Sequence, residues 1–184
     1  LLGGEQGQTY RQSRKQEEMP RKPFALPAAN GDMRRVFAYL LRSRLLDYEV
    51  VSAFAKENLI YESLELSKDK TRQFHNAIFV GYDPEGKARH AHKKGIYTMG
   101  KSYRGNLESS DPRYSFHWNG KSSEVFVFEA PIDMLSYISL NKKGWKEHSY
   151  VALCGVGAQA LFQLLQDYPE LKKIHLCLDH DLAG

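Results

Sequence analysis

The chain has 184 residues, of which 42% are hydrophobic and 26% charged, and its formal net charge at pH 7 is +4. This length suits one ordinary core or two small ones, and the composition is typical of globular proteins, not of disordered tails. No run approaches the ~20 uncharged apolar residues of a membrane-spanning helix, and the first residues lack the basic-then-apolar order of a secretion signal. We therefore expect a cytoplasmic protein with no membrane partner.

Residues 1–30 are predicted to form a disordered linker. They are rich in Gln, Gly, Arg, Glu and Pro, and Pro20, Pro23 and Pro27 are spaced to prevent a helix. The opening Leu-Leu-Gly-Gly of residues 1–4 is typical of a helix end with its glycine stop. We therefore expect the chain to begin in the tail of an earlier domain.

Residues 31–121 are predicted to form a small α+β domain. Capping residues at 30–32 begin a pair of short helices, in which apolar residues recur at three- and four-residue spacing from Val36 to Phe54, with a turn near Asp47. Residues 76–81 alternate as in a strand, residues 83–86 are a turn, and residues 87–92 return as the second strand of a β-hairpin.

The same domain carries a concentration of positive charge. Its basic residues alternate with tyrosine, phenylalanine and tryptophan, a combination that offers phosphate contacts and stacking faces for bases. The alternative is that the charges flank solvated strands and the aromatic rings fill the core. His90 and His92 share a strand face, which permits metal ligation, but a third ligand at suitable spacing is missing, so we favour a phosphate contact. The predicted nucleic-acid-binding residues are Lys87, Arg89, Lys93, Lys94, Lys101, Arg104 and Arg113.

From Glu124 onward, strands and helices alternate at intervals of roughly 25 residues, which predicts a parallel sheet with right-handed crossovers and flanking helices. We place the boundary of this second domain, residues 122–184, near Lys121. Its two cysteines, Cys154 and Cys177, lie inside apolar runs, so no disulfide is expected. The predicted elements are strand 125–128, helix 131–140, strand 150–154, helix 157–168 and strand 174–178.

Acidic residues follow two of these strands. In open parallel sheets, ligands bind beyond the carboxyl ends of the strands, where this chain has Glu129, a turn with Gly155 and Gly157, and the pair Asp179 and Asp181. The carboxylates converge if the first and third strands are neighbours, and a hard divalent cation would offset their repulsion. A single carboxylate after a strand can equally be a helix cap, so the prediction depends on their conjunction.

Two runs contain these acidic residues: Val-Phe-Val-Phe-Glu-Ala-Pro-Ile-Asp, ending at Asp133, and Ile-His-Leu-Cys-Leu-Asp-His-Asp-Leu-Ala-Gly, ending at residue 184. They resemble the strand-Glu and strand-Asp-x-Asp signatures of the TOPRIM domain, the nucleotidyl-transfer module of primases and topoisomerases. Asp133, the glycine turn and the final Ala-Gly are similar to the bacterial DnaG-type primase branch. The resemblance implies a Rossmann-like fold, with Glu129 as catalytic carboxylate and Asp179 and Asp181 as ligands of Mg²⁺ or Mn²⁺. It also implies that the domain is C-terminally truncated here.

The preceding domain resembles the one before TOPRIM in primase-like proteins of mobile elements, where Tyr-Arg-Gly-Asn, here residues 103–106, is typical. The resemblance implies an enzyme that polymerises nucleotides on single-stranded DNA, with a helicase or other replication protein as a further partner. Zinc is expected only in an upstream domain. The alternatives are a TOPRIM phosphodiesterase, nuclease or topoisomerase-like enzyme, a non-catalytic DNA-binding module, and a haloacid-dehalogenase-type phosphatase that would use Asp179 as nucleophile.

Overall fold

The computed structural model describes residues 22–97, 102–155 and 157–179. They form two four-stranded sheets, one antiparallel and one mostly parallel, with helices packed on them. The predicted fold class, a parallel α/β domain preceded by an α+β domain with a helical pair and a hairpin, is confirmed. None of the helices in these ranges is long and apolar enough to cross a membrane.

The helical pair consists of α1 (Arg34–Ala38), which continues into a π-helical turn (Tyr39–Ser43), and α2 (Tyr48–Lys56). Asp47 caps α2, since its side chain accepts hydrogen bonds from the backbone N–H groups of residues 49 and 50. At the beginning of α1, Asp32 supplies the expected local cap, since its Oδ1 accepts the Arg34 N–H at 3.0 Å. Glu62 from the neighbouring strand accepts a second N–H group of the first turn, that of Val36.

The first sheet has the strand order β1-β2-β3-β4 and is antiparallel throughout. The predicted hairpin joins β2 to β3, and Gly86 takes a left-handed conformation (φ +77°) at its turn. A bulge at Gly81 and Tyr82 ends the regular pairing, where a side chain at Gly81 would collide with the backbone of residues 114 and 115. The strands are β1 (Ile60–Leu66), β2 (Gln73–Tyr82), β3 (Ala88–Gly95) and β4 (Arg104–Asn106).

Residues 22–30, part of the predicted linker, are extended and lie against this sheet. Ala29 forms a bridge with Ser63 of β1, and the Tyr61 hydroxyl donates to the Pro27 carbonyl at 2.8 Å. These bonds cover the outer edge of β1, which would otherwise expose unpaired backbone groups. Residues 1–21, including the predicted helix tail at 1–4, lie outside the described residues.

The second sheet has the order β5-β7-β6-β8, with β6 parallel to both β7 and β8 and β5 antiparallel to β7. Helices α3 and α4 pack on opposite faces, α3 with the larger core cluster and α4 with a separate one. Sheet pairing begins at β5, ahead of the predicted boundary near Lys121. The elements are β5 (His117–Trp118), β6 (Glu124–Phe128), α3 (Pro131–Leu140), β7 (Ser149–Ala152), α4 (Gln159–Asp167) and β8 (Lys173–Leu176).

One hydrophobic core joins the two sheets. Phe54 of α2 lies 5.4 Å from Phe116 and 5.6 Å from Trp145, measured between ring centroids, and Phe79 of β2 contacts Phe116 from the other side. These rings are buried together with Tyr150 of β7. Because the rings interlock across the two halves, the first sheet has a defined position relative to the carboxyl edge of the second.

Candidate active site

The strand order brings the carboxylates after β6 and β8 together. Since β6 and β8 are parallel neighbours, Glu129 and Asp179 lie at the same edge of the sheet. The Asp179 backbone N–H donates a hydrogen bond to Oε1 of Glu129 at 3.0 Å. Glu129 thus reaches across to the chain beyond β8, as expected if these strands were neighbours. Asp181 and His180 lie outside the described residues.

Asp133, in the first turn of α3, shares the electrostatic environment of these two carboxylates. The pKa of its side chain is raised, first by partial burial and then by the negative charges of Asp179 and Glu129. The positive charges of Arg104 and Arg44 act in the opposite direction. The edge therefore carries an excess of negative charge that a cation would reduce.

The turn after β7 completes this edge. Cys154 has a left-handed backbone (φ +54°), and its N–H donates to the Glu129 carbonyl at 2.9 Å. A side chain at Gly155 would meet open space, whereas one at Gly157 would collide with the flexible side chain of Gln159. Burial raises the pKa of the Cys154 thiol to about 12, so it is neutral and a poor nucleophile at neutral pH. The turn is a structural support of the site.

Three basic residues lie close enough to influence one another electrostatically. Lys94 and Arg104 are register partners on β3 and β4 and therefore share a face of the first sheet. The pKa of Lys94 is lowered by burial and then by the positive charges of Arg44 and Arg104. We call Arg44, Lys94 and Arg104 the basic cluster. Since Arg44 and Arg104 also influence Asp133, the cluster lies within electrostatic reach of the acidic edge.

Arg44 was absent from the predicted binding residues. It follows the π-helical turn, donates from Nε to the Tyr39 hydroxyl at 2.8 Å, and lies over the Tyr39 ring at 5.5 Å. Its neighbour Leu45 has a left-handed backbone (φ +55°), which ends the helix at that point. The one sequence signal was a basic residue beside the predicted turn near Asp47.

The other predicted basic residues have different surroundings. Lys93 points to the opposite face of β3 from Lys94, where it forms an ion pair with Glu65 at 3.0 Å. Arg89 and Arg113 both pair with Asp111, at 4.0 Å and 2.7 Å. Lys87 is exposed at the end of the hairpin turn, and Lys101 lies outside the described residues. None of these contacts brings Arg89, Lys93 or Arg113 to the acidic edge.

His90 and His92 are on one strand face, as expected, but both are buried. Burial lowers the pKa of His90 to about 4 and also lowers that of His92, whose Nδ1 bonds with Oδ1 of Asn106 at 2.8 Å. Within residues 22–97, 102–155 and 157–179, no group of three or more His, Cys, Asp or Glu side chains is arranged to hold a metal ion. The structure brings together the predicted catalytic residue Glu129 and the predicted metal ligand Asp179, through the Asp179 backbone N–H.

Two protein-family models match successive parts of the chain. Residues 38–122 match the model described as a protein of unknown function (DUF3991), and residues 126–184 match the model described as Toprim-like. The Toprim-like match thus lies C-terminal to the DUF3991 match, and the resemblance to the TOPRIM domain seen in the sequence is confirmed. The second match includes Asp179, so the phosphatase alternative is not retained.

Known proteins extend this likeness to the fold. An uncharacterised plasmid protein of Bacillus anthracis is 28% identical over 163 residues, which are 82% of this chain and 44% of that protein. The primase fragment of the bacteriophage T7 primase-helicase protein has a TM-score of 0.54 at 15% identity, covering 77% of this chain and 54% of that one. The E. coli primase catalytic core has a TM-score of 0.52 at 16% identity, covering 82% and 57%. This chain thus shares the fold of part of these primase structures, and it spans about half the length of the proteins it matches.

Proposed function

We propose that this chain is the catalytic core of a primase-like nucleotidyltransferase, which polymerises nucleotides on single-stranded DNA with Mg²⁺ or Mn²⁺. The observation that carries the proposal is the contact between Asp179 and Glu129 at an edge where Arg44 and Arg104 act electrostatically on Asp133. Carboxylates suit divalent cations, and arginine and lysine suit phosphate oxygens. A nucleotide with its metal ion carries both kinds of group.

The carboxylates fit a hard cation by their chemistry. Glu129, Asp179 and Asp181 would hold the metal through oxygen atoms, the ligands that Mg²⁺ prefers. Oε1 of Glu129 already accepts the Asp179 N–H, which leaves Oε2 to face the metal or to accept a proton from the attacking hydroxyl. When bound, the metal would stabilise negative charge on the attacking and leaving oxygens of the phosphoryl transfer.

The basic cluster would hold phosphates of the nucleotide or the template. Burial and then the positive charges of Arg44 and Arg104 lower the pKa of Lys94, so the members of the cluster repel one another. Binding of a phosphate would relieve that repulsion. Arg44 is held at its guanidinium by Tyr39, which reduces the side-chain entropy lost on binding.

The relatives support a role on mobile DNA. The similar Bacillus anthracis protein is plasmid-borne, which supports replication or transfer of a mobile element as the setting. The T7 neighbour is part of a primase-helicase protein, which supports a helicase as a partner to look for. A primase of this kind would act on cytoplasmic DNA.

Labelled nucleotide incorporation on single-stranded templates tests the proposal. We expect the full chain to make short products with Mg²⁺ or Mn²⁺, and Glu129→Gln to lower the rate at least ~100-fold, because general acid–base and metal-ligand roles are worth about that much or more. Glu170→Gln, at an exposed glutamate, is the matched control and should retain activity.

The same assay separates the alternatives. Metal-dependent cutting of the template without synthesis would identify a nuclease, and metal-independent DNA binding without either product would identify a binding module. Synthesis by Glu129→Gln at the wild-type rate would refute the proposed site.

A further inference from the structure

We infer that Asn106 is a positioning residue, which fastens the turn after β7 to the first sheet and thereby fixes the backbone of Glu129. The effect on catalysis rests on the proposed function, whereas the fastening itself can be tested without it. Asn106 is the last residue of β4, and its side chain reaches the turn that follows β7 of the second sheet.

Three consecutive hydrogen bonds form the connection. His92 of β3 bonds through Nδ1 to Oδ1 of Asn106 at 2.8 Å. Nδ2 of Asn106 donates to the Cys154 carbonyl at 2.8 Å, a bond between residues 48 positions apart. The Cys154 N–H then donates to the Glu129 carbonyl at 2.9 Å. The Cys154 carbonyl is thus bound to the first sheet through Asn106, and the Cys154 N–H is bound to the Glu129 carbonyl, directly after β6.

The turn needs such support because of its backbone. Cys154 is not a glycine, yet its φ is +54°, a left-handed conformation that is unfavourable for a residue with a side chain. The next residue, Gly155, is exposed and has open space around it. Without the Asn106 bond, the Cys154 peptide could rotate toward an ordinary conformation and release the Glu129 carbonyl.

His92 explains why the residue must be asparagine. The imidazole is buried and its pKa is lowered by that burial, so it is neutral at pH 7. With its hydrogen on Nδ1, it donates to Oδ1, and this turns the amide nitrogen toward Cys154. If the Asn106 amide were flipped, or replaced by a carboxylate, an oxygen would face the Cys154 carbonyl oxygen, and two acceptors would be in contact. Asn106→Asp therefore keeps the shape and the His92 bond but removes the donor that reaches Cys154.

The catalytic consequence is a misplaced Glu129. Displacements of about 1 Å at a reacting group can lower a rate by ~10²-fold. We expect Asn106→Ala and Asn106→Asp to lower kcat about 10- to 100-fold. The KM for nucleotide should stay within about twofold, since the residues of the basic cluster remain in place.

Thiol labelling of Cys154 gives a readout that does not depend on activity. In a Cys177→Ser background, Cys154 is the single thiol, and it is buried in the parent protein. We expect Asn106→Ala and Asn106→Asp to increase its labelling rate with a neutral thiol reagent at least tenfold under native conditions. The matched control is Asn141→Ala, which removes an amide that also donates to a backbone carbonyl, but on the exposed end of α3. It should change neither the labelling rate nor kcat.

The outcomes separate the two claims. If the parent makes no product but the labelling rate rises as expected, the proposed function fails and the fastening stands. If the parent is active and Asn106→Asp matches it in labelling and kcat, the positioning role is overturned. The rate of global unfolding is measured in parallel from its dependence on urea. If the Cys154 labelling rate equals that rate, the positioning role is also overturned, because the thiol is then exposed by unfolding of the whole chain.

Discussion

The buried carboxylate of Glu62 offers the sharpest test of how the first domain is stabilised. Its Oε1 accepts bonds from Nδ1 of His75 at 2.6 Å and Nδ2 of Asn30 at 3.0 Å, and its Oε2 accepts the Val36 N–H at 3.0 Å. The Glu62 side chain is fully buried, and that of His75 is 9% exposed. One carboxylate therefore joins β1, β2, the segment before α1 and the first turn of α1.

We expect Glu62→Ala to lower the free energy of unfolding by about 3–5 kcal/mol, the usual cost of breaking a buried, hydrogen-bonded network around a charged group. Three bonds to a charged group, at ~1.5–3 kcal/mol each, would suggest more. A groove of about 560 Å³ borders Asn30, Glu62 and His75, so water can enter and satisfy part of what is left. For a chain of this size, the loss corresponds to a fall in Tm of roughly 6–20 °C.

Urea unfolding followed by circular dichroism measures this loss. Glu65→Ala is the matched control on the same strand: its partner is Lys93, and 37% of its side chain is exposed. A partly exposed pair of this kind is worth about 1 kcal/mol or less. If Glu62→Ala cost under 1 kcal/mol, or no more than Glu65→Ala, the assignment of Glu62 as the anchor of α1 would be wrong.

Three further outcomes concern charge. Asp133→Asn should raise Tm at neutral pH. The pKa of Asp133 is raised above 3.8 in the folded chain, so ionisation of this side chain destabilises the fold as pH rises. The gain in Tm over the parent should therefore disappear near pH 3, where Asp133 is protonated. His90→Leu should flatten the loss of stability between pH 6.5 and 4, since the folded chain holds His90 neutral there while the unfolded chain protonates it. For single-stranded DNA, Arg104→Gln should reduce the slope of log K against log salt by roughly 0.7, and Lys93→Gln should change it less, as fluorescence anisotropy would show.

Strand patterns were sufficient to predict the acidic edge. The rule that ligands bind at strand carboxyl ends put Glu129 and Asp179 together, provided that the first and third strands were neighbours, and β6 and β8 are. The predicted helix 131–140 has the bounds of α3, since Pro131 fixes its beginning. The place of Asp181 stays a prediction.

Tertiary features were harder to foresee. No expectation covered β1, because Glu62 shares a face with Ile60, and a charged residue there suggests a solvated face. Its burial depends on His75, Asn30 and Val36, which are distant in sequence. Arg44 was missed for a similar reason, since a basic residue at a helix end says nothing about which sheet it approaches.

The basic residues show what the sequence could have decided. Adjacent residues on a strand point to opposite faces, so Lys93 and Lys94 could not both face one ligand. The register then pairs Lys94 with Arg104. The separation of Lys93 from Lys94 follows from alternation alone once β3 is accepted as a strand. Which face of β3 approaches the second sheet depends on how the two sheets pack.

Like charges lie close together both at the acidic edge and in the basic cluster. Burial and then the negative charges of Asp179 and Glu129 raise the pKa of Asp133, while burial and then the positive charges of Arg44 and Arg104 lower the pKa of Lys94. Repulsion between like charges therefore contributes to both shifts. A cation beside Glu129 and Asp179, together with phosphate beside Arg44 and Lys94, would relieve both at once. We therefore expect metal and nucleotide to bind cooperatively: Mn²⁺ affinity, measured by titration calorimetry, should rise when a nucleoside triphosphate is present, and Arg44→Gln should reduce that gain. Equal Mn²⁺ affinity in the parent and Arg44→Gln, with nucleotide present, would separate the two clusters and contradict a shared ligand.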